Sequence, residues 1–320
     1  MKHWSSRKGL MVGMILVFTL TCPAEGEPPV PDYLGQTPPG NLPRLFAPQV
    51  VSSAAVEFGP AFSPDGTEMY FTRLDPQFRG TILVMRRTTA GWTDPAPASF
   101  SGQFSDAGPA FTVDGRRLFF QSKRPARGTT APRVDWQIWY VQRTENGWSE
   151  AVDLELSVVS AAGEWNPCLV QADTLYFNAD YPVFGGAGIY RCRLEDGHYG
   201  TPEHLGPAVN RPGTVVVEPC LPPDERFIVF YSAAGADNMS PGERTGDLYV
   251  SFRRENGDWT PGRNLGGTVN SPAEENWPKL SPDGQYLFFC SNRAVADHHP
   301  AIYWISADVI PSPEDSGKRE

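Results

Sequence analysis

Five times this chain writes nearly the same phrase: GPAFSPDGTEMYF from Gly59, GPAFTVDGRRLFF from Gly108, NPCLVQADTLYF from Asn166, EPCLPPDERFIVF from Glu218 and WPKLSPDGQYLFF from Trp277. The anchoring prolines, Pro60, Pro109, Pro167, Pro219 and Pro278, stand 49, 58, 52 and 59 residues apart. A strand signature recurring at a period near fifty is the mark of a repeat architecture, in which each unit buries its apolar face only against its neighbours. No long stretch beyond the N-terminal leader carries helical apolar periodicity, and 31 Gly with 32 Pro supply turn punctuation.

The first copy shows how a unit is built. Gly59 to Phe62 is a short apolar strand. Ser63-Pro64-Asp65-Gly66 turns the chain: Pro presets φ, Asp bonds its own backbone and Gly accepts positive φ. Glu68 to Thr72 returns as a second strand, and TILVMRR from Thr81 makes a third after a variable loop. A tight turn at Thr89-Ala90-Gly91 then opens a fourth strand at Trp92. Later copies repeat the plan, with third strands from Gln137, Gly188, Asp247 and Ala301. Their fourth strands open at Trp148, Tyr199 and Trp259 after Asn-Gly or Asp-Gly turns. Four antiparallel strands per unit, without helices, make a propeller blade.

Counting gives an all-β, five-bladed β-propeller of four-stranded blades. The fifth copy lacks a fourth strand of its own. LPRLFAPQVV, residues 42–51, is the candidate that completes it and closes the ring, removing exposed sheet edges. The expected blades are about 57–104, 106–160, 164–213, 216–270 and 275–309 plus 42–51, within a propeller of residues 42–310.

The run Ser-Pro-Asp-Gly-x-x-[Leu/Met]-[Tyr/Phe]-Phe, then Ser291-Asn292-Arg293, a loop and Asp-[Ile/Leu]-Tyr, resembles the Pro-Asp repeat of TolB-like β-propellers, which are related to WD-repeat propellers. The match is specific in copies one and five, fair in copy two, and eroded in copies three and four. The resemblance implies a propeller of the bacterial envelope. It transfers no catalytic residue, because the motif is a fold motif.

Residues 1–24 read as an export signal: a basic start with Lys2, His3, Arg7 and Lys8, then the short apolar run GLMVGMILVFTL. Two cleavage readings stand side by side. Thr19-Leu20-Thr21-Cys22 is an imperfect lipobox that makes Cys22 a lipidation site and a membrane tether. Cys22-Pro23-Ala24 is a small-x-small site for ordinary cleavage. A Pro-rich linker, residues 25–41, follows, and residues 311–320 form a charged tail. Either reading places the mature protein in the periplasm or outside the cell. The formal net charge is -10, with no basic stripe, which excludes a nucleic-acid surface. Cys168 and Cys220 sit at the same place in successive copies, so they point the same way a whole repeat apart. They read as buried thiols rather than a disulfide.

The Ser-Pro-Asp-Gly turns lie on one face of the ring. The start of strand one, the end of strand two and the long variable loops lie on the other, where function usually rides. Three residues before the proline stands an acid in four copies: Glu57, Asp106, Glu164 and Glu275. Arg73, Arg124 and Arg293 near the end of strand two are expected to pair with three of them as structural ion-pair clamps. Copy four loses both partners together. Glu164 faces Asn178 and Asp180 with no basic partner in view, so Glu164, Trp165, Asn166 and Asp180, with Glu275, Asn276 and Trp277, are the candidate ligand-binding residues. Trp beside carboxylates and Asn suits stacking on a sugar or peptide, and capping of the core between blades explains the aromatics equally well. No nucleophile motif, metal set or cofactor signature is present. The expectation is a binding module for a protein, peptide or glycan of the cell envelope, not an enzyme. The alternative is a glycan-active enzyme working with two carboxylates among Asp106, Glu164, Asp180 and Glu275.

Overall fold

The computed structural model describes residues 1, 32–156, 163–182, 186–241, 245–293 and 299–313. The export leader, Cys22 and residues 314–320 of the tail lie outside them. The chain forms five antiparallel sheets set in a ring, a five-bladed β-propeller. Each blade runs from an inner strand outward: Glu57–Phe62, Glu68–Leu74 and Gly80–Thr88 in the first; Asp106–Phe111, Arg117–Ser122 and Gln137–Thr144 in the second. The third has Glu164–Leu169, Leu175–Tyr181 and Gly186–Cys192, the fourth Val215–Cys220, Phe227–Ala233 and Gly246–Phe252. The fifth has Glu275–Leu280, Tyr286–Ser291 and Ala301–Ser306. The five inner strands touch one another in a closed circle around a central channel.

Closure comes from the N-terminus. Arg44 and Leu45 pair with Trp304 and Tyr303 at the outer edge of the fifth blade, and Phe46 N–H donates to Ile302 O at 2.8 Å. So short a strand needs an anchor. Phe46 is fully buried and meets Phe288 and Trp304 edge-on, with centroids 5.1 and 5.3 Å away. Tyr33 packs into the same seam between the last blade and the first. Burying one such ring contributes about 2–3 kcal/mol.

The outer strands depart from expectation. Trp92 and Trp148 only extend the hairpin by two residues, and the sheet edge proper is a second short piece: Ala96–Pro97, Val152–Asp153, Glu203–His204 and Arg263–Asn264 in blades one to four. Prolines explain most of the interruptions. Pro95, Pro202 and Pro261 stand between the two pieces and have no N–H to offer the ladder.

The Ser-Pro-Asp-Gly turns form as their residues dictate. Ser63 Oγ donates to Asp65 Oδ1 at 2.5 Å, and Thr67 N–H donates to the same oxygen at 3.0 Å. Thr112–Asp114 and Ser281–Asp283 repeat the contact at 2.7 and 2.6 Å. Where the motif erodes, Ala172 and Glu225 adopt left-handed backbone instead. Cys168, Cys192, Cys220 and Cys290 are all buried free thiols; burial pushes the Cys192 thiol up to about 12.

Candidate functional site

The acids at the mouth are structural to a degree their spacing only hinted at. Glu57, Asp106, Glu164 and Glu275 are each between 0 and 2% exposed. In register they face Arg73, Ser122, Ala179 and Ser291 across the inner strand pair. Arg73 Nε reaches Glu57 Oε1 at 2.8 Å from directly opposite. Arg124 Nη1 reaches Asp106 Oδ1 at 3.0 Å, and Arg293 Nη2 reaches Glu275 Oε1 at 3.1 Å, each from two residues further on. The serine left opposite adds a bond in those two blades, Ser122 Oγ to Asp106 at 2.6 Å and Ser291 Oγ to Glu275 at 2.7 Å.

Each guanidinium also binds a carbonyl of the segment entering its blade: Arg73 to Val50 O at 3.4 Å, Arg124 to Phe100 O and Arg293 to Val269 O. From the entering segments, Ser53 and Ser271 donate both N–H and Oγ to Glu57 and Glu275, and Ser101 Oγ donates to Asp106 at 2.8 Å. The clamps therefore tie strand one, strand two and the incoming chain together. Burial pushes the Asp106 carboxyl up and the Arg124 guanidinium down, against their mutual attraction.

Glu164 corrects the reading of an unpartnered acid. Tyr181 stands where Arg124 and Arg293 stand in their blades, two residues beyond the position opposite. Its hydroxyl donates to Glu164 Oε1 at 2.8 Å. The third blade thus keeps the clamp with a neutral donor. Asp180, beside it, is half-buried at the end of the same strand. In the fourth blade Val216 is buried opposite Ser232, so the ion pair is replaced by an apolar contact and a serine.

A second layer, absent from the sequence reading, lies deeper in the channel. Every inner strand carries a register shift at the same place, and the residue before the proline there has left-handed backbone: Gly59 (φ 62°), Gly108 (φ 63°), Asn166 (φ 56°), Glu218 (φ 65°) and Trp277 (φ 53°). The bulge turns these N–H groups away from their own sheet toward the preceding blade, where in three of the five a side chain of the second strand accepts the bond. Thr72 Oγ1 accepts from Gly108 at 3.0 Å, Gln121 Oε1 from Asn166 at 2.9 Å and Asn178 Oδ1 from Glu218 at 2.8 Å. Cys290 holds this position beside the first blade, where its thiol donates to Glu57 O at 3.7 Å. These residues all occupy one register position, opposite Phe58, Ala107, Trp165 and Asn276.

The fourth blade again breaks the series. Tyr231 holds the acceptor position, and its hydroxyl donates to Glu274 at 2.9 Å instead. The vacant role falls to Glu218, whose Oε2 accepts the Trp277 N–H at 2.5 Å. Glu218 keeps partial contact with the channel yet is packed in by protein. Burial, with a smaller push from Glu274, raises its carboxyl to about 8, against the Trp277 N–H bond and the charge of Lys279.

Trp277 is the other irregular member. Its indole lies across the channel, so that a Cβ on Gly59 or Gly108 would meet it at 3.3 or 3.1 Å. It also packs on Phe58 with centroids 4.4 Å apart. Glycine at these two positions therefore serves the backbone and makes room for the ring. Of the other candidates, Asn166 is buried in this belt, its Nδ2 donating to Asn178 at 3.2 Å, and its Oδ1 has no partner among the described residues. Trp165 and Asn276 are half-buried on the inner strands. The candidates thus divide between the clamps and the belt rather than gathering into one cleft. Glu218 and the acceptor position were missed; the recurring residue before proline was the signal available. No group of three or more His, Cys, Asp or Glu suited to a metal exists among the described residues.

No family model matches the chain, and no curated protein sequence matches it. Among solved structures it is similar to TolB from Acinetobacter baumannii, at 15% identity and a TM-score of 0.47, covering 80% of this chain and 55% of that one. It is similar also to an α-L-arabinofuranosidase from Lactobacillus brevis, at 13% identity and a TM-score of 0.51, covering 78% of this chain and 90% of that one. A thermostable family-43 glycoside hydrolase shares 10% identity at a TM-score of 0.52, covering 80% of this chain and 90% of that one. The chain spans little more than half the length of the Acinetobacter TolB. Likeness at these identities establishes the propeller fold alone.

Proposed function

We propose that this chain is a binding module of the cell envelope, one that takes up a protein partner on its loop-rich face, and not a glycan-cleaving enzyme. One observation carries the reading. Five of the large apolar side chains left exposed among the described residues, Val50, Phe78, Val134, Val215 and Met239, belong to loops or strand starts on that face, with Phe78 at 78% and Val134 at 91% exposed, while Leu42, Val113 and Val152 lie elsewhere. Exposed apolar groups on a rigid scaffold favour protein contact over a sugar or a hydrophilic peptide. A two-carboxylate mechanism needs one acid and one base able to reach substrate, and three of its four candidates, Asp106, Glu164 and Glu275, are buried and held by Arg, Ser or Tyr donors, which weighs against the enzyme alternative; Asp180 is half-buried.

The test is affinity capture from envelope extract with the wild-type protein and with a Phe78→Ser, Val134→Ser, Met239→Ser variant. A set of proteins held by the first and lost by the second, with unchanged circular dichroism, is the expected result. Identical capture by both, or capture of nothing by either, overturns the proposal. Export through residues 1–24, and tethering at Cys22 if the lipobox is used, belong to the same proposal; the mass of the mature N-terminus decides between the two cleavage sites.

A further inference from the structure

The channel has a second end. On the Ser-Pro-Asp-Gly face the inner strands and turns of all five blades converge on a funnel of about 200 Å³. Its wall is apolar: Pro60, Pro109, Leu169, Leu221, Leu280 and the Cys220 thiol are among its lining groups. One charged side chain enters it, Lys279, on the inner strand of the fifth blade. That ammonium has no ion pair and no hydrogen bond within the described chain. Glu218 feels Lys279 through space without forming a salt bridge. A strongly hydrated point charge held among prolines and leucines forfeits part of its hydration, and an anion seated beside it restores that loss.

We infer that this funnel binds a compact organic monoanion, its apolar body against the proline wall and its carboxylate on Lys279 Nζ. The occupant is set by volume and charge. A space near 200 Å³ takes a body of roughly a dozen non-hydrogen atoms, somewhat larger than the benzene that fills a cavity of about 150 Å³. That is too little for a folded segment or a sugar chain, and a hydrophilic anion would leave the wall unsatisfied. The site is independent of the loop-rich face, and either can fail without the other.

The experiment is titration calorimetry of the whole protein at pH 7 with 3-phenylpropanoate, with the uncharged 3-phenylpropan-1-ol, and with 3-phenylpropylamine. The expected order is acid, alcohol, amine, with the acid bound about tenfold more tightly than the alcohol, the scale of one charge-assisted hydrogen bond. Lys279→Met keeps the length of the side chain and removes its charge, so acid and alcohol should bind it alike. Ala61→Phe, which grows a ring from the half-exposed wall, should weaken both. The inference is overturned if the wild-type protein binds no acid at millimolar concentration or binds acid and alcohol equally. It is equally overturned if the preference survives Lys279→Met or Ala61→Phe leaves binding unchanged. The first pair of outcomes needs no variant, so a misfolded mutant cannot shelter the idea.

Discussion

Glu218→Gln should stabilise the protein in alkali and leave it unchanged in acid. The carboxyl of Glu218 moves from an ordinary 4.5 to about 8, driven first by burial. Between those two values the folded chain holds a proton that the unfolded chain has released. Stability therefore falls as pH rises across that window and levels off above it. A displacement of about 3.5 units at 1.36 kcal/mol each sets a ceiling of about 5 kcal/mol, and water in the channel should reduce this to about 2–3 kcal/mol. Glutamine keeps a carbonyl oxygen for the Trp277 N–H and has no charge to desolvate.

The assay is a pair of thermal or urea melts, wild type and variant, at pH 5 and pH 9. All other titrating groups are shared, so the difference between the two proteins isolates Glu218. The variant should match wild type at pH 5 and exceed it by about 5 °C or more in Tm at pH 9, at a few degrees per kcal/mol for a domain of this size. Parallel curves across the range would refute the reasoning. So would a variant that loses stability at both pH values, since that would make the charged carboxylate a favourable partner rather than a desolvated one.

Four other outcomes follow from the same geometry. Asp106→Ala leaves Arg124 buried without its carboxylate and should cost about 3–5 kcal/mol in urea melts. Phe46→Ala should cost about 3–5 kcal/mol and loosen the N-terminal strand first, seen as early hydrogen exchange at Phe46 and Ile302. Gly108→Ala combines left-handed backbone with a 3.1 Å approach to the Trp277 ring, so it should cost about 1–3 kcal/mol and shift tryptophan emission as the indole moves. Gln121→Leu leaves the buried Asn166 N–H without an acceptor and should cost about 1–3 kcal/mol, whereas Gln121→Glu should largely retain the bond.

The blade plan was legible because its determinants are local. Pro-Asp-Gly turns and period-two alternation act within a few residues, so each copy announces its own strands. The missing fourth strand of copy five was legible for a global reason, since a ring has no other way to finish. The outer strands were misjudged because Trp92 and Trp148 look like strand openers; after Trp92 the missing N–H of Pro95 moves the real edge several residues on, and the second blade makes the same interruption without a proline. At the mouth, Arg-acid pairing could be read from charge. The Glu164 clamp could not, because a tyrosine in the arginine's place carries no charge to notice, and its role depends on lying two residues past the register position.

The belt was hidden for a different reason, and it changes what the irregular copies mean. A left-handed residue is easy to suspect when it is glycine, as at Gly59 and Gly108, and plausible at Asn166. Glu218 and Trp277 carry no such signal, and both pay the strain in adjacent blades. One substitution accounts for the pair's coupling. With Tyr231 in the acceptor position, the Trp277 N–H would be orphaned in the channel wall, and only a long acceptor on the neighbouring inner strand can reach it. Glu218 does so from the one backbone position that already faces Trp277, at the cost of a carboxylate that resists ionisation. The fourth copy is therefore compensated rather than broken: it gives up the mouth ion pair for Val216 and Ser232, and keeps the belt closed with a group no other blade uses.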